Sequence, residues 1–98
     1  MVRFTRTAAA EDDLDAIWSY VAQHNPAAAD SLYWRLDAKT VSLAHSPGIG
    51  ALRPDLGPGI RAIPVNAYLI LYRETEDGIL VLRYLHGARD LPSIPLDP

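Results

Sequence analysis

Residues 60–86 read IRAIPVNAYLILYRETEDGILVLRYLH and contain most of the strand-forming sequence of the chain. Three apolar runs within it have strand composition: residues 60–65, 68–74 and 79–86. Such runs, rich in β-branched and aromatic residues, favour strands. Asn66-Ala67 is a short reversal, and Glu76-Asp77-Gly78 is typical of a hairpin turn, with Gly78 at a position that tolerates positive φ. The stretch therefore predicts a three-stranded antiparallel meander.

Pro64 lies inside the first of these runs. Proline has no N–H to donate to a strand ladder, so it is confined to edge positions and bulges. We therefore expect the first strand of the meander to lie at an edge, or to carry a bulge, near Pro64.

The N-terminal half of the chain predicts one strand and two helices. Residues 2–6 alternate apolar and polar side chains, as a short half-buried strand does. A helix can start at Thr7 or Ala8, and Asn25-Pro26 ends it, with Asn25 as the N-cap of a second helix that runs toward His45. Because the connection is short, the two helices should form an antiparallel hairpin.

The helices also predict the core. In the first helix, the apolar residues at helical spacing are Leu14, Ile17, Trp18 and Val21. In the second, the candidate core residues are Ala29, Leu32, Tyr33, Leu36, Val41, Leu43 and Ala44. The helical aromatic residues are interpreted as packing residues rather than as a platform for bases. Leu14→Asp or Trp18→Asp should then unfold the domain, because either places a charge in the core.

These elements give an α+β domain over residues 1–91, followed by an extended, proline-rich tail over residues 92–98. Residues 48–59, rich in glycine and proline, form a turn-rich connector between the helices and the meander. Serine, proline and glycine at residues 46–50 should end regular structure after the second helix.

Composition narrows the classes of function. The chain has 98 residues, no cysteine and a net charge of −3, with no apolar run long enough for a membrane span. An acidic balance disfavours direct binding to nucleic acid, which needs clustered lysine and arginine. The absence of a secretory signal and of cysteine predicts a cytoplasmic protein with no membrane association.

His86 and Asp90 invite a general-base interpretation, but no motif presents a nucleophile beside them. The alternative is structural: Asp90 caps the strand end or pairs with Arg89 or Arg61. The three histidines are too scattered for a common metal-ligand pattern, so we expect neither a metal nor another cofactor.

Three segments together carry a resemblance to a known family. They are RYLHGARD at residues 83–90, RPDLGPGIR at residues 53–61 and YLILYR at residues 68–73. The chain resembles the ParE branch of the RelE/ParE toxin superfamily over nearly its whole length. The resemblance implies a strand, a helical hairpin and an antiparallel meander, and an inhibitor that traps DNA gyrase on cleaved DNA and is not itself an enzyme. The residues that it suggests for toxicity are Arg61, Arg83, His86, Arg89 and Asp90.

The same resemblance implies a ParD-like antitoxin and a hetero-oligomeric complex. The antitoxin's C-terminal segment would lie across the helices and the sheet, with the helical hairpin as the landing site. The candidate contact residues are Trp18, Tyr33, Leu36, Tyr68 and Tyr72.

Two alternatives remain at this point. One is a ribosome-dependent mRNA endoribonuclease of the RelE type, although Leu69 stands where that branch tends to place a catalytic arginine. The other is a non-toxic relative that only binds an antitoxin. Fold alone does not decide among these functions.

Overall fold

The structure is a computed structural model that describes residues 2–88, Leu91 and Leu96. Its elements are β1 (Arg3–Arg6), α1 (Ala8–Ala22), α2 (Pro26–His45), a single 3₁₀ turn (Pro47–Ile49), β2 (Ala51–Leu52), β3 (Ile60–Val65), β4 (Tyr68–Thr75) and β5 (Gly78–His86). The predicted order of strand, helical hairpin and meander is confirmed. Arg89, Asp90 and all of the predicted tail except Leu96 lie outside the described residues.

Both helices begin where side chains cap them. Thr7 Oγ1 accepts a hydrogen bond from the backbone N–H of Ala10 at 3.0 Å, which fixes the start of α1. Asn25 Oδ1 accepts one from the N–H of Ala28 at 3.0 Å, and Pro26 follows at the first helical position, as predicted. The Asn25 cap lets α2 begin directly after the short connection that follows α1.

The sheet has five strands in the order β1-β5-β4-β3-β2. The three predicted strands form its centre, with antiparallel pairing throughout. β1 adds to one edge, parallel to β5, because the helical hairpin carries the chain back across the sheet before the meander begins. The two-residue β2 adds to the other edge. The expectation that regular structure stops after the second helix was therefore too strict, since the connector supplies a 3₁₀ turn and this short strand.

Pro64 lies at an open edge of β3, as its missing N–H predicted. It pairs with Leu69 on the β4 side, whereas β2 pairs only with Arg61 and Ala62. Pro64 therefore stands beyond the end of β2 and breaks no ladder.

The helices pack on one face of the sheet, and the main core lies between the two layers. Leu14, Leu36 and Leu43 from the helices meet Ile70 and Val81 from the strands there. Alternate strand residues point to the opposite face, where Ile60, Leu71, Leu82 and Leu85 form a second apolar cluster. Both faces of the central strands are thus covered, which explains the nearly continuous apolar runs in the sequence.

Two predicted core residues are exposed. The buried stripe of α1 runs through Leu14 and the partly buried Ile17 and Val21, and Trp18 projects about 100° away from Ile17 with 40% of its surface exposed. In α2, Thr40 takes the core position instead of Val41, which is also 40% exposed. Burial of Thr40 is possible because its hydroxyl bonds to the carbonyl of Leu36 and lies 2.7 Å from the Tyr84 hydroxyl.

Among the residues that the structure describes, no helix is both long enough and apolar enough to span a membrane.

Candidate functional site

Arg83, in β5, is bound to α1 by a two-pronged ion pair. Its Nε and Nη2 donate to Oδ2 and Oδ1 of Asp13 at 2.7 and 2.9 Å, and both side chains are largely covered. Asp13 Oδ2 also accepts the backbone N–H of Tyr84 at 3.0 Å. The hydrogen bonds that Arg83 donates to Asp13 raise the pKa of Arg83 above its ordinary value. Arg83 therefore fastens the helical layer to the sheet.

Arg61, the second described arginine among the toxicity candidates, holds the segment after α2. Its Nη1 donates to the carbonyls of Gly50 and Gly48 at 2.7 and 3.3 Å. The Tyr72 hydroxyl holds the same segment, because it donates to the carbonyl of Pro47 at 2.7 Å and accepts the N–H of Gly50 at 2.8 Å. Burial raises the pKa of Tyr72. Arg61 and Tyr72 therefore both hold the 3₁₀ turn and β2 against the sheet.

His86 stands at the exposed end of β5. Its Nδ1 accepts the N–H of Ala88 at 3.1 Å, and its ring meets that of Tyr68 edge-on, with 5.4 Å between centroids. Both rings line a groove of about 170 Å³ between α1 and the sheet, together with Asp13 and Tyr20. Arg89 and Asp90 lie outside the described residues, so the general-base interpretation of His86 and Asp90 and the structural alternative for Asp90 both stay predictions.

The described toxicity candidates do not converge on one reacting centre. Arg61 is engaged by the segment at residues 48–50, Arg83 by α1, and His86 by Ala88 and Tyr68. Within the described part of the chain, no three of the His, Asp and Glu side chains are grouped as metal ligands would be. Arg61 and Arg83 therefore stabilise the fold, whereas His86 forms part of the protein surface.

Of the five antitoxin-contact candidates, three line pockets on the surface and two are buried beneath it. Trp18 and Tyr33 line a pocket of about 450 Å³ between α1 and α2, and Tyr68 borders the groove beside His86. Leu36 and Tyr72 are fully buried, so in this structure they support the surface from within and do not form it.

The pocket between the helices, which we call the hairpin pocket, is lined by Asp15, Trp18, Ser19, Asp30, Tyr33 and Trp34. Trp34 is 65% exposed. Trp18 Nε1 donates to Asp30 Oδ1 at 2.9 Å, and the rings of Tyr33 and Trp34 meet edge-on at 5.6 Å. Two carboxylates therefore border an open aromatic surface.

Four of the six lining residues were not among the candidates predicted from the sequence: Asp15, Ser19, Asp30 and Trp34. A usable signal was present, because Asp15 and Trp18 are three residues apart on α1, and Asp30 and Trp34 are four apart on α2. Such spacings place an acid and an aromatic residue on the same face of each helix. Assigning all helical aromatic residues to packing obscured this signal.

A partly buried polar network around Arg6 and Tyr84 was also not predicted from the sequence. Arg6 Nε donates to the Tyr84 hydroxyl at 2.9 Å, and Arg6 Nη2 donates to Asp37 at 3.0 Å. The Tyr84 hydroxyl also lies 2.7 Å from that of Thr40. Burial raises the pKa of Tyr84, although the bonds to Thr40 and Arg6 oppose that effect. The network joins β1, α2 and β5 through the core.

A helical hairpin packed on one face of a mainly antiparallel sheet, with β1 parallel at its edge, is the architecture of a RelE/ParE-type toxin. The family described as "ParE toxin of type II toxin-antitoxin system, parDE" matches residues 2–91. Toxin ParE3 of Caulobacter vibrioides is 32% identical over 92 residues, which span 93% of this chain and 92% of that protein. A solved chain of the chromosomal ParDE TA system from P. aeruginosa superposes with a TM-score of 0.73 and 27% identity, over 88% of this chain and 96% of that one. The chain therefore belongs to the ParE toxin family of type II toxin-antitoxin systems.

Proposed function

We propose that this chain inhibits DNA gyrase and is neutralised by a ParD-type antitoxin. Membership in the ParE toxin family over residues 2–91 supports a toxin, and the similarity to a chain of a solved ParDE system supports an antitoxin of the ParD type. The proposal that gyrase is the target rests on the resemblance to the ParE branch. The toxin acts by binding a protein target, and its antitoxin competes by covering part of its surface.

The observation that carries the proposal is the open aromatic surface of the helical hairpin. Trp18 and Trp34 are exposed on neighbouring helices, although burial of large aromatic side chains is strongly favourable. Exposed aromatic surface of this kind marks sites of protein association. It suits a partner segment that lies along the hairpin.

The bonds that Arg61 and Arg83 make within the chain, together with its acidic net charge, favour protein binding over RNA cleavage. Cleavage of RNA needs a base, an acid and positive charge for the scissile phosphate. Arg61 and Arg83 are held by groups of the chain itself, and the chain carries a net charge of −3. Inhibition by contact with gyrase makes no such chemical demand.

The end of β5 is the proposed contact with gyrase. His86 is exposed there, and Arg89 and Asp90 follow it in the sequence. We expect Arg89→Ala to reduce toxicity more than it reduces affinity for the antitoxin, when growth inhibition and antitoxin binding are both measured for the variant and for the unchanged chain. Loss of antitoxin affinity with full toxicity would contradict this assignment.

Induced expression in the source organism tests the function. Growth arrest with a DNA-damage response, relieved by co-expression of the ParD-type antitoxin encoded beside the toxin, is the expected result. Arrest without a DNA-damage response, accompanied by translation-dependent mRNA cleavage, would instead indicate an endoribonuclease of the RelE type. Full expression without arrest would indicate a non-toxic relative.

A further inference from the structure

We infer that the hairpin pocket is the receptor for an arginine side chain of the antitoxin. The guanidinium would stack on the indole rings of Trp18 and Trp34 and face the carboxylates of Asp15 and Asp30. The choice of partner rests on the proposed function, which includes a ParD-type antitoxin, and on the expectation that this antitoxin lies along the helical hairpin. The inference adds the chemical group that the pocket recognises.

The aromatic walls favour a cation. Trp18, Tyr33 and Trp34 all line the pocket, and Trp34 is exposed over 65% of its surface. The face of an aromatic ring is electronegative, and the indole ring of tryptophan attracts a cation most strongly. A volume of about 450 Å³ leaves room for the end of a long side chain.

The charges around the pocket favour the same occupant. Asp15 and Asp30 are its charged lining residues, so its formal charge is −2. Asp30 uses Oδ1 to accept the N–H of Trp18, and its second oxygen can accept another donor. The lining contains neither lysine nor arginine, so an incoming cation would meet no like charge there.

Arginine fits this combination better than lysine does. A guanidinium is planar, so it stacks on an indole ring while its N–H groups bond to a carboxylate at its edge. A lysine ammonium is a compact, strongly hydrated charge that cannot make both contacts with one flat group. The pocket offers both kinds of surface within one opening.

Tryptophan fluorescence gives a direct test, because both tryptophans of the chain line the pocket. The purified protein is titrated with acetyl-arginine amide and, as a neutral isostere, with acetyl-citrulline amide. A saturable change in emission with a dissociation constant on the order of 10 mM is expected for the arginine compound. The citrulline compound should bind at least about fivefold more weakly, the effect of losing roughly 1 kcal/mol of cation–π attraction.

Charge-neutralising variants identify the carboxylates. Asp30→Asn keeps an oxygen that can accept the Trp18 N–H, so it removes charge without removing that bond. It should weaken binding of acetyl-arginine amide about threefold or more, as should Asp15→Asn. Glu76→Gln is the matched control, since Glu76 is exposed in the turn between β4 and β5 and should change nothing. Equal responses to the two compounds, or binding insensitive to both Asp variants, would overturn the inference.

The antitoxin itself provides the second test. Each arginine of the ParD-type antitoxin encoded beside the toxin is replaced by glutamine, and its affinity is measured for the wild-type chain and for Asp15→Asn and Asp30→Asn. One antitoxin arginine should show a coupling of about fivefold or more with the two carboxylates. Neutralisation without any such coupling would refute the pocket assignment and leave the proposed function intact. Coupling without inhibition of gyrase would refute only the proposed target.

A second copy of the chain is the other possible occupant of the pocket. Dimerisation that depends on concentration and that Trp34→Ala abolishes, with no response to acetyl-arginine amide, would assign the pocket to that second copy.

Discussion

At the scale of single residues, the arginines of the described chain act mainly within the fold. Arg6, Arg61 and Arg83 each bond to oxygen atoms of other segments. Arginine is suited to this role because its planar group makes several directed bonds at once. The sequence alone did not show these partners, because each lies on another segment of the chain.

The ion pair between Asp13 and Arg83 should contribute measurably to stability. Asp13→Asn removes the charge and weakens three hydrogen bonds in a largely covered site. We expect a loss of about 1–3 kcal/mol in the free energy of unfolding, measured by urea denaturation. Asp12→Asn, at an exposed position of the same helix, is the control and should cost far less. A loss for Asp13→Asn no larger than for the control would contradict a structural role.

Gly78 was attributed to a turn position that tolerates positive φ, but the structure gives a different reason for glycine there. Its φ is not among the positive values found at Gly57, Gly59 and Asn66, so the turn does not require it. Glycine is needed because Gly78 faces Arg3 across the parallel pairing, and an added Cβ would collide with the Arg3 carbonyl. That contact became apparent only once β1 was placed beside β5.

Gly78→Ala should therefore loosen the edge of the sheet. We expect about 2 kcal/mol of destabilisation by thermal or urea unfolding, because the collision is with backbone, which cannot rotate away. Gly48→Ala is a matched control, since a Cβ at Gly48 would meet nothing within 4 Å. Equal stability of the two variants would show that β1 can shift to admit the methyl group.

Tyr84 should make stability depend on pH in the alkaline range. Burial raises its pKa in the folded state above the ordinary value of 10.0. The unfolded chain therefore loses this proton first, and the free energy of unfolding falls as pH rises above about 10. Tyr84→Phe should flatten that decline above about pH 10. Identical slopes for wild type and Tyr84→Phe in urea titrations would contradict the burial argument.

At the scale of elements, the strongly patterned segments were predictable and the short ones were not. The bounds of α2 followed from Asn25 and Pro26, and β3 to β5 followed from three apolar runs. β2 has only two residues and no pattern of its own, so its formation depends on the contacts of Arg61 and Tyr72 with the preceding turn. The parallel pairing of β1 is likewise a tertiary choice that local sequence does not encode.

The two faces of α1 should respond oppositely to the same substitution. Leu14 is 5% exposed, and Leu14→Asp should unfold the domain because a buried unpaired charge costs several kcal/mol, comparable with the whole stability of a small domain. Trp18→Asp should stay folded and lose no more than about 1 kcal/mol, contrary to what helical spacing alone predicted. Circular dichroism with urea unfolding distinguishes them. If the Trp18→Asp variant were unfolded, the assignment of Trp18 to the core would be correct after all.

At the scale of the whole molecule, the fold was more predictable than the site. The resemblance suggests Trp18 and Tyr33 as antitoxin contacts, which stays a prediction, and both line the hairpin pocket. The other lining residues join them only because the two helices lie side by side. Tyr68 and His86 likewise meet because β4 and β5 pair in register. Sites assembled across elements depend on register and helix packing, which a single sequence specifies only indirectly.

We have proposed that this ParE family toxin poisons gyrase, and a supercoiling assay with the source organism's gyrase tests that proposal. Relaxed plasmid, ATP and gyrase are incubated with increasing amounts of the purified protein, and denaturant is added to release trapped, cleaved DNA. Linear DNA that rises with dose, and that disappears when the ParD-type antitoxin is added first, is the predicted result. Unaffected supercoiling at a large excess of folded protein, with no linear DNA, would contradict the claim.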